Sequence, residues 1–186
     1  MIRSGVTPGS DLAHRARGGP ACAGSVPGMA WDRITVERLI PAPAEAIFDL
    51  LADPAGQQRI DGSGSLQGAR SGSRRLALGD RFGMNMKIGV NYSTRNVVTE
   101  FEENRRIAWR TLAAPPISSF FTGRTWRYEL EPKSGGTLVR ETWDLTTEKW
   151  VSRPVVALGM RSMTVKNMER TLARIEKVLR EDGLAA

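Results

Sequence analysis

The spacing of apolar residues predicts three kinds of segment in a fixed order along the chain. Ile34 and Val36 alternate with polar neighbours across residues 33–40, a pattern typical of a β-strand. After two prolines, residues 44–52 place their apolar side chains on one helical face, and a second short helix extends to about residue 60. The pattern therefore begins with one strand and two short helices.

Five later segments show the two-residue alternation of strands. They are residues 82–88, 92–101, 106–112, 124–131 and 137–145. Short turn signals such as Ser134-Gly135-Gly136 separate them, which implies antiparallel pairing. Residues 92–101 carry apolar side chains on both parities, so a β-bulge can switch the inward face there and we assign no face to this segment.

A long amphipathic helix follows the strands. From residue 158 onward, apolar residues such as Met168, Leu172 and Leu179 recur at spacings of three and four, and Asp182-Gly183 ends the helix. The largest surface that can bury this stripe is one face of the sheet. We therefore predict an α+β fold in which a curved antiparallel sheet of six to seven strands wraps around the long C-terminal helix, with two short helices after the first strand.

The ends of the chain differ in composition. Residues 1–30 are rich in Gly, Pro, Ser and Ala without apolar periodicity, so we expect a disordered leader, followed by one domain over residues 31–186. A transit-like leader and a translation start at Met29 both stay open as alternatives. The longest later apolar stretch, residues 154–160, is too short to span a bilayer, so no integral membrane association is expected.

Composition narrows the chemistry of the predicted domain. The chain has one histidine and one cysteine, His14 and Cys22, and both lie in the leader. The domain therefore lacks the imidazole or thiolate that Ser-His-Asp triads, Cys-His triads and zinc sites require, and we predict neither a metal nor a cofactor. A single cysteine is ordinary in a reducing compartment, which favours the cytoplasm.

The positive charge raises the question of an anionic partner. Net charge is +7 and the pI is about 10.3. Basic and acidic residues alternate along most segments, for example across residues 102–106, which is typical of a solvated surface. A cluster of Arg70, Arg74, Arg75 and Arg81 keeps an anionic partner open as the alternative, but no nucleic acid is expected.

Six short motifs run through the predicted domain in a fixed order. They are IPAPAEAIF at 40–48, LLADP at 50–54, DGSG at 61–64, EFE with RRIAW across 100–109, WRYEL at 126–130, and GGT leading to ETW across 135–143. Together they resemble the START-like or Bet v 1-like superfamily (SRPBCC), which includes polyketide cyclases/dehydrases and lipid-transfer proteins. The resemblance implies a helix-grip fold with an internal hydrophobic cavity, but no single activity, because this fold hosts binding, transport, cyclisation and regulation. Gln57 stands near a place where close relatives often carry a histidine, so no role of that histidine carries over.

Strand alternation places the large apolar side chains on the face toward the helix. We predict that the cavity is lined by Met84, Met86, Trp109, Trp126, Tyr128, Glu141, Trp143, Met163 and Met168. Indole N–H groups suit a pocket wall with a few polar groups, and methionines adapt to varied ligands. Plain core packing of the same side chains is the alternative. Residues 113–123 form a candidate gate. The alternative is that the phenylalanines of this loop pack against the core and hold the loop in place.

Glu141 is the most informative polar residue because it lies between Val139 and Trp143 on an apolar face. If it is buried, its pKa should rise, and it could act as a general acid or base or hold a ligand hydroxyl. Tyr128 is the second candidate catalytic residue, and Asn96 and Arg124 are weaker candidates. A structural role for Glu141, in an ion pair with an arginine or a bond to a tryptophan N–H, is the alternative.

Two functions from different classes follow. The first is binding or transport of a small hydrophobic molecule, such as a lipid or polyketide, in the internal cavity. The second is a polyketide cyclase/dehydratase-like enzyme that uses acid-base catalysis in the same cavity. The lack of imidazole favours binding, although whether any reaction is catalysed stays open. A homodimer formed through the sheet or the helix is compatible with the first function.

Overall fold

The computed structural model describes residues 32–69, 72–112 and 123–185. The predicted leader and all of the candidate gate except Gly123 lie outside these residues. The described elements, in chain order, are β1 (Arg33–Ile40), α1 (Ala44–Leu51), α2 (Pro54–Ile60), β2 (Leu66–Ala69), β3 (Arg81–Ile88), β4 (Val90–Glu102), β5 (Arg106–Leu112), β6 (Arg124–Lys133), β7 (Gly136–Asp144) and α3 (Arg153–Glu181).

These strands form a seven-stranded antiparallel sheet in the order β1-β7-β6-β5-β4-β3-β2. Consecutive strands from β2 to β7 are neighbours, whereas β1 joins the far edge by pairing with β7. This arrangement confirms the predicted curved sheet, the long C-terminal helix and the two short helices after the first strand. The short strand β2 was not predicted, because its four residues have no clear alternation and include Gly68 at a φ of 155°.

Strand β4 contains the bulge that its mixed pattern indicated. Asn96 and Val98 are buried, and the pairing register with β5 shifts between Val98 and Glu100. Beyond the shift, Phe101 packs edge-on against Phe48 of α1, with ring centroids 5.2 Å apart. The extra residue thus turns both parities of this strand toward the interior at different places.

The start of α3 differs from the predicted position. The helix begins at Arg153 rather than near residue 158, with Pro154 in its first turn, where proline is tolerated because the first helical N–H groups have no intrahelical acceptor. Val155 and Leu158 are exposed while Val156 and Ala157 are buried, so apolar residues lie on both sides of these first turns and hide the inward spacing in the sequence.

Two clusters of buried side chains hold α3 against the sheet. The larger cluster joins the C-terminal half of α3, through Leu172 and Ile175, to α1, α2 and most strands. The smaller cluster joins Met168 and Val156 of α3 to Trp143 of β7. Val36 and Trp126 pack against both clusters, so the boundary between the clusters runs across β1 and β6.

The turn after α2 packs directly on α3. The backbone N–H of Gly62 donates a hydrogen bond of 3.0 Å to Oγ1 of Thr171. A Cβ atom at residue 62 would overlap the carbonyl oxygen of Asn167 and the backbone nitrogen of Thr171. Glycine is therefore required here by close approach, and this contact fixes the middle of α3 against the α2 end of the fold.

Candidate functional site

Tyr128 and Glu141 form a buried pair in the middle of the concave face. The β6 and β7 register places the two residues directly opposite each other, and alternation points both side chains inward. The Tyr128 hydroxyl donates a hydrogen bond of 2.8 Å to Oε1 of Glu141. Glu141 is 2% exposed and Tyr128 is also buried, so bulk water does not solvate the carboxyl group.

Burial raises the pKa of Glu141 to about 8, the Tyr128 hydrogen bond opposes this rise, and the charge of Asp61 adds to it. Burial also raises the pKa of Tyr128, and the adjacent carboxylate adds to the effect. At neutral pH the pair therefore consists of a neutral carboxylic acid and a neutral phenol. A protonated Glu141 can donate a hydrogen bond, which an ionised carboxylate cannot.

Two polar atoms near this pair are buried and have no hydrogen-bond partner within the described ranges. They are Oε2 of Glu141 and Nε1 of Trp143. Both residues lie on the inner face of β7, two positions apart, so these two atoms lie on the same side of the sheet. Leaving such a group unsatisfied costs about 1–3 kcal/mol, so both atoms are available to a further hydrogen-bonding group.

Aromatic rings surround the pair. Trp109 stacks on Tyr128 with a centroid distance of 5.5 Å, and Phe82 meets Trp109 edge-on at 6.1 Å. Trp126 and Trp143 lie opposite each other on β6 and β7, with ring centroids 6.4 Å apart. These flat, polarisable surfaces suit an aromatic or unsaturated molecule.

The inner face becomes more polar and more accessible toward the open end of the sheet. Thr111 donates a hydrogen bond of 2.7 Å to Oδ1 of Asn96, and Arg124 lies opposite Thr111. Burial lowers the pKa of Arg124, while the nearby Glu148 and Tyr92 raise it. Tyr92 is 41% exposed, compared with 2% for Glu141, so accessibility rises along the face.

The structure brings most of the predicted lining residues together on the concave side. Met84, Trp109, Tyr128, Glu141, Trp143 and Met168 are buried. Met86 and Trp126 are partly buried and pack against the same clusters. Met163 is separate from this set, because its side chain is half-exposed at the edge of the buried stripe of α3.

Sequence reasoning missed part of the polar end of this face. Thr111 and Glu148 were not candidates. Thr111 is hydrogen-bonded to Asn96, and the charge of Glu148 acts on Arg124. Thr111 shares the parity of Ile107 and Trp109, which is a signal that could have found it. Glu148 follows β7 in a turn, where no periodicity marks the direction of a side chain.

Two depressions lie on the outside of the molecule. One, of about 290 Å³, lies between α1, α2 and the end of α3, and the other, of about 490 Å³, lies between residues 62–64 and the basic side chains of α3. Neither is lined by Glu141, Tyr128 or a tryptophan. Among the residues with described positions, no cluster of His, Cys, Asp and Glu could hold a metal, and no helix is long and apolar enough to cross a membrane.

The chain is similar in sequence to curated proteins of Mycobacterium tuberculosis. An uncharacterized Mycobacterium tuberculosis protein, Rv0088, is 29% identical over 141 residues, which are 73% of this chain and 59% of that protein. The chain thus spans about three-fifths of the length of the curated relatives it matches.

Solved structures share the fold at low sequence identity. Protein NE0264 from Nitrosomonas europaea aligns with a TM-score of 0.64 at 16% identity, covering 83% of this chain and 97% of that one. The di-domain ARO/CYC StfQ from the steffimycin biosynthetic pathway aligns with a TM-score of 0.62 at 13% identity, covering 82% of this chain and 51% of that one. Both likenesses support the helix-grip fold.

The family assignment rests on a match across nearly all of the described fold. The profile of "Polyketide cyclase / dehydrase and lipid transport" covers residues 32–180, from the residue before β1 to the last turn of α3. This range includes the buried pair and every aromatic residue packed around it. The chain therefore belongs to the polyketide cyclase/dehydrase and lipid transport family.

Proposed function

We propose that this protein binds a small hydrophobic molecule that carries a hydrogen-bond acceptor oxygen, such as a ketone or a quinone-like carbonyl, beneath the concave face. The observation that carries the proposal is the buried Oε2 of Glu141, which has no partner among the described residues and belongs to a carboxyl group that is neutral at pH 7. A neutral acid can donate to a carbonyl oxygen, and the free Nε1–H of Trp143 can donate to the same molecule.

The aromatic surroundings support this ligand class. The stacked Trp109 and the tilted Trp126 offer ring faces for a flat apolar body, while the acid and the indole N–H fix its polar end. Membership of a family that includes lipid transport and polyketide-modifying proteins agrees with such a ligand. Tyr92 is more exposed than the residues around Glu141, so this end of the inner face is the expected entrance for the ligand.

Titration with the solvatochromic naphthyl ketone prodan tests the proposal, because its emission reports on hydrogen bonding to its carbonyl. We expect Glu141→Leu to weaken prodan binding about tenfold, the equivalent of one buried hydrogen bond. Glu141→Gln keeps an N–H donor of similar shape and should bind within about threefold of the natural chain. Raising the pH through about 8 should weaken binding to the natural chain but not to Glu141→Gln, because only the carboxyl group ionises.

Glu129 supplies the matched control. It lies on β6 next to Tyr128 but on the opposite parity, and it is partly exposed. Glu129→Leu and Glu129→Gln should leave prodan affinity and its pH dependence unchanged. Equal binding by the natural chain and Glu141→Leu would contradict the proposal.

A second candidate function is a cyclase or dehydratase acting by proton transfer in the same place. The observation that favours it is that a carboxyl group with a pKa of about 8 is suited to general acid catalysis near neutral pH. StfQ, a di-domain ARO/CYC protein, shares the fold, which agrees with this second function. Under this function, a poly-β-ketone mimic should be turned over by the natural chain and not by Glu141→Gln, even though Glu141→Gln still binds prodan.

A further inference from the structure

The beginning of α3 and the turn before it expose a group of large apolar side chains, which we call the docking face. Its apolar members are Trp150, Val151, Val155, Leu158 and Met163. Trp150 is 80% exposed and Leu158 is 84% exposed. A monomeric protein rarely leaves so many large apolar side chains together in water unless the surface meets a partner.

The docking face cannot turn inward. Val156, Ala157 and Thr164 of the same helix are buried against the sheet, whereas Val155 and Leu158 are exposed on the other side of the helix and Met163 is half-exposed at the edge of the buried stripe. Rotating the helix to cover the exposed side chains would expose the buried ones. The apolar surface is therefore a permanent feature of this fold.

Cationic side chains predominate beside the docking face. Residues 149–168 contain four cationic side chains, namely Lys149, Arg153, Arg161 and Lys166, and no acidic residue. Nη1 of Arg153 lies 3.9 Å from Oδ2 of Asp32, so its charge is partly balanced. Arg161 and Lys166 are exposed, and neither forms an ion pair within the part of the chain that the structure describes. The following residues 169–181 contain three glutamates among their basic residues, so the one-sided charge is confined to the first half of the helix.

We infer that the docking face binds the surface of an anionic lipid bilayer. A helix with exposed aliphatic residues, a neighbouring tryptophan and flanking cations can lie in the interface, with its apolar side chains among the acyl chains and its cations beside the phosphates. A two-fold contact between copies of this chain would bring Arg161 and Lys166 of one copy against the same cations of the other, so the charge favours a lipid surface over a second copy.

The docking face adjoins the open end of the concave face. Met160 lies two residues after Leu158, on the inner side of α3. Its Sδ atom is 3.3 Å from Nη1 of Arg124. A bilayer bound at the docking face would therefore lie beside the accessible end of the proposed ligand site. The membrane inference rests on exposure and charge alone, and it stands or fails independently of ligand binding.

Co-sedimentation with sucrose-loaded vesicles tests the inference. We expect the full chain to bind vesicles of phosphatidylcholine with one-third phosphatidylglycerol and to bind pure phosphatidylcholine at least tenfold more weakly, because each cation near an anionic surface contributes about fivefold to partitioning. Trp150→Ser with Leu158→Ser should reduce binding to the mixed vesicles at least tenfold. Arg161→Gln with Lys166→Gln should reduce it by a similar factor.

Matched variants elsewhere on the surface serve as controls. Leu78→Ser with Leu184→Ser removes two exposed apolar side chains outside the docking face, and Arg81→Gln with Lys87→Gln removes two exposed cations. All four variants should keep their circular dichroism, and the two controls should bind vesicles as the natural chain does.

Three results would overturn the inference. The first is the absence of binding to the mixed vesicles, and the second is equal loss of binding in the docking-face variants and the controls. The third is a dimer in sedimentation equilibrium that is lost in Trp150→Ser with Leu158→Ser, because it would assign the docking face to a second copy.

Discussion

The two halves of α3 carry similar aliphatic side chains but bury them very differently. In the C-terminal half, Leu172, Ile175 and Leu179 are almost completely buried in the larger core cluster. In the N-terminal half, Val155 and Leu158 are exposed to solvent. The helix is continuous, so the difference comes from what each half meets: α1 and α2 cover the last turns, whereas only one side of the first turns rests on β7 and β1.

The two halves of α3 therefore differ in how much they contribute to the stability of the fold. The C-terminal half contributes burial of apolar area, which is the main favourable term in folding. The N-terminal half gives up part of that burial and keeps an apolar, cationic surface available. The buried Glu141 lies between the two clusters, with Val139 of the larger one and Trp143 of the smaller one as its neighbours on β7.

The largest expected effect is on the buried half of α3. Ile175→Ala should lower the free energy of unfolding by about 4 kcal/mol, because it removes fully buried methyl groups and leaves a cavity. Leu158→Ala should change it by less than about 0.5 kcal/mol, because the side chain is already in water. Urea denaturation followed by circular dichroism measures both values, and similar losses in the two variants would break the comparison.

A second, smaller effect concerns the boundary between the clusters. The folded-state pKa of Glu141 is about 8, above its ordinary value of 4.5. The protonated form is therefore favoured by folding, so this contribution to stability is complete below about pH 4.5 and is lost as pH rises toward 8. Relative to Glu141→Gln, the natural chain should lose about 3 kcal/mol between about pH 5 and pH 7.5, because the folded state retains a proton that the unfolded state releases.

Denaturation midpoints of the natural chain, Glu141→Gln and Glu129→Gln across this pH range provide the measurement. Glu129→Gln should follow the natural chain, because Glu129 lies on the other face of β6. Parallel pH profiles for the natural chain and Glu141→Gln would show that water reaches the boundary between the clusters.

The smallest of the three effects concerns the turn that holds the middle of α3. Gly62→Ala should destabilise the protein by about 2 kcal/mol, because the added methyl group would overlap backbone atoms of Asn167 and Thr171. Gly64→Ala adds a methyl group in open space and should cost only about 1 kcal/mol, from its φ of 68°. Thermal unfolding distinguishes them, and a Gly62→Ala protein no less stable than Gly64→Ala would show that α3 can shift at this contact.

Much of the fold could be predicted from local pattern. Apolar residues at every second position, such as Ile107 and Trp109 or Tyr128 and Leu130, predicted strands and their inward faces. These four residues are buried as expected. The same rule failed to indicate β2, where four residues give too few positions to establish a period. It also placed the start of α3 too late, because the exposed Val155 and Leu158 stand beside the buried Val156 and Ala157 and obscure the amphipathic period there.

The candidate site was predicted only in part, because its chemistry depends on contacts between distant strands. Glu141 was a candidate from its apolar neighbours, but its bond with Tyr128 comes from the β6 and β7 register. Met163 shares its residue type with the proposed lining, yet its side chain is half-exposed. Composition alone does not distinguish a methionine in a lining from one on a surface.

The sequence by itself determined the order and type of nearly all elements, and it placed the only imidazole and the only thiol in the first thirty residues. Both properties are local, since periodicity and composition can be counted along the chain. Only the tertiary structure decided that Glu141 is desolvated beside Tyr128 and that the first turns of α3 remain exposed. Desolvation and exposure depend on which distant segments cover a residue, and that information is absent from any single stretch of sequence.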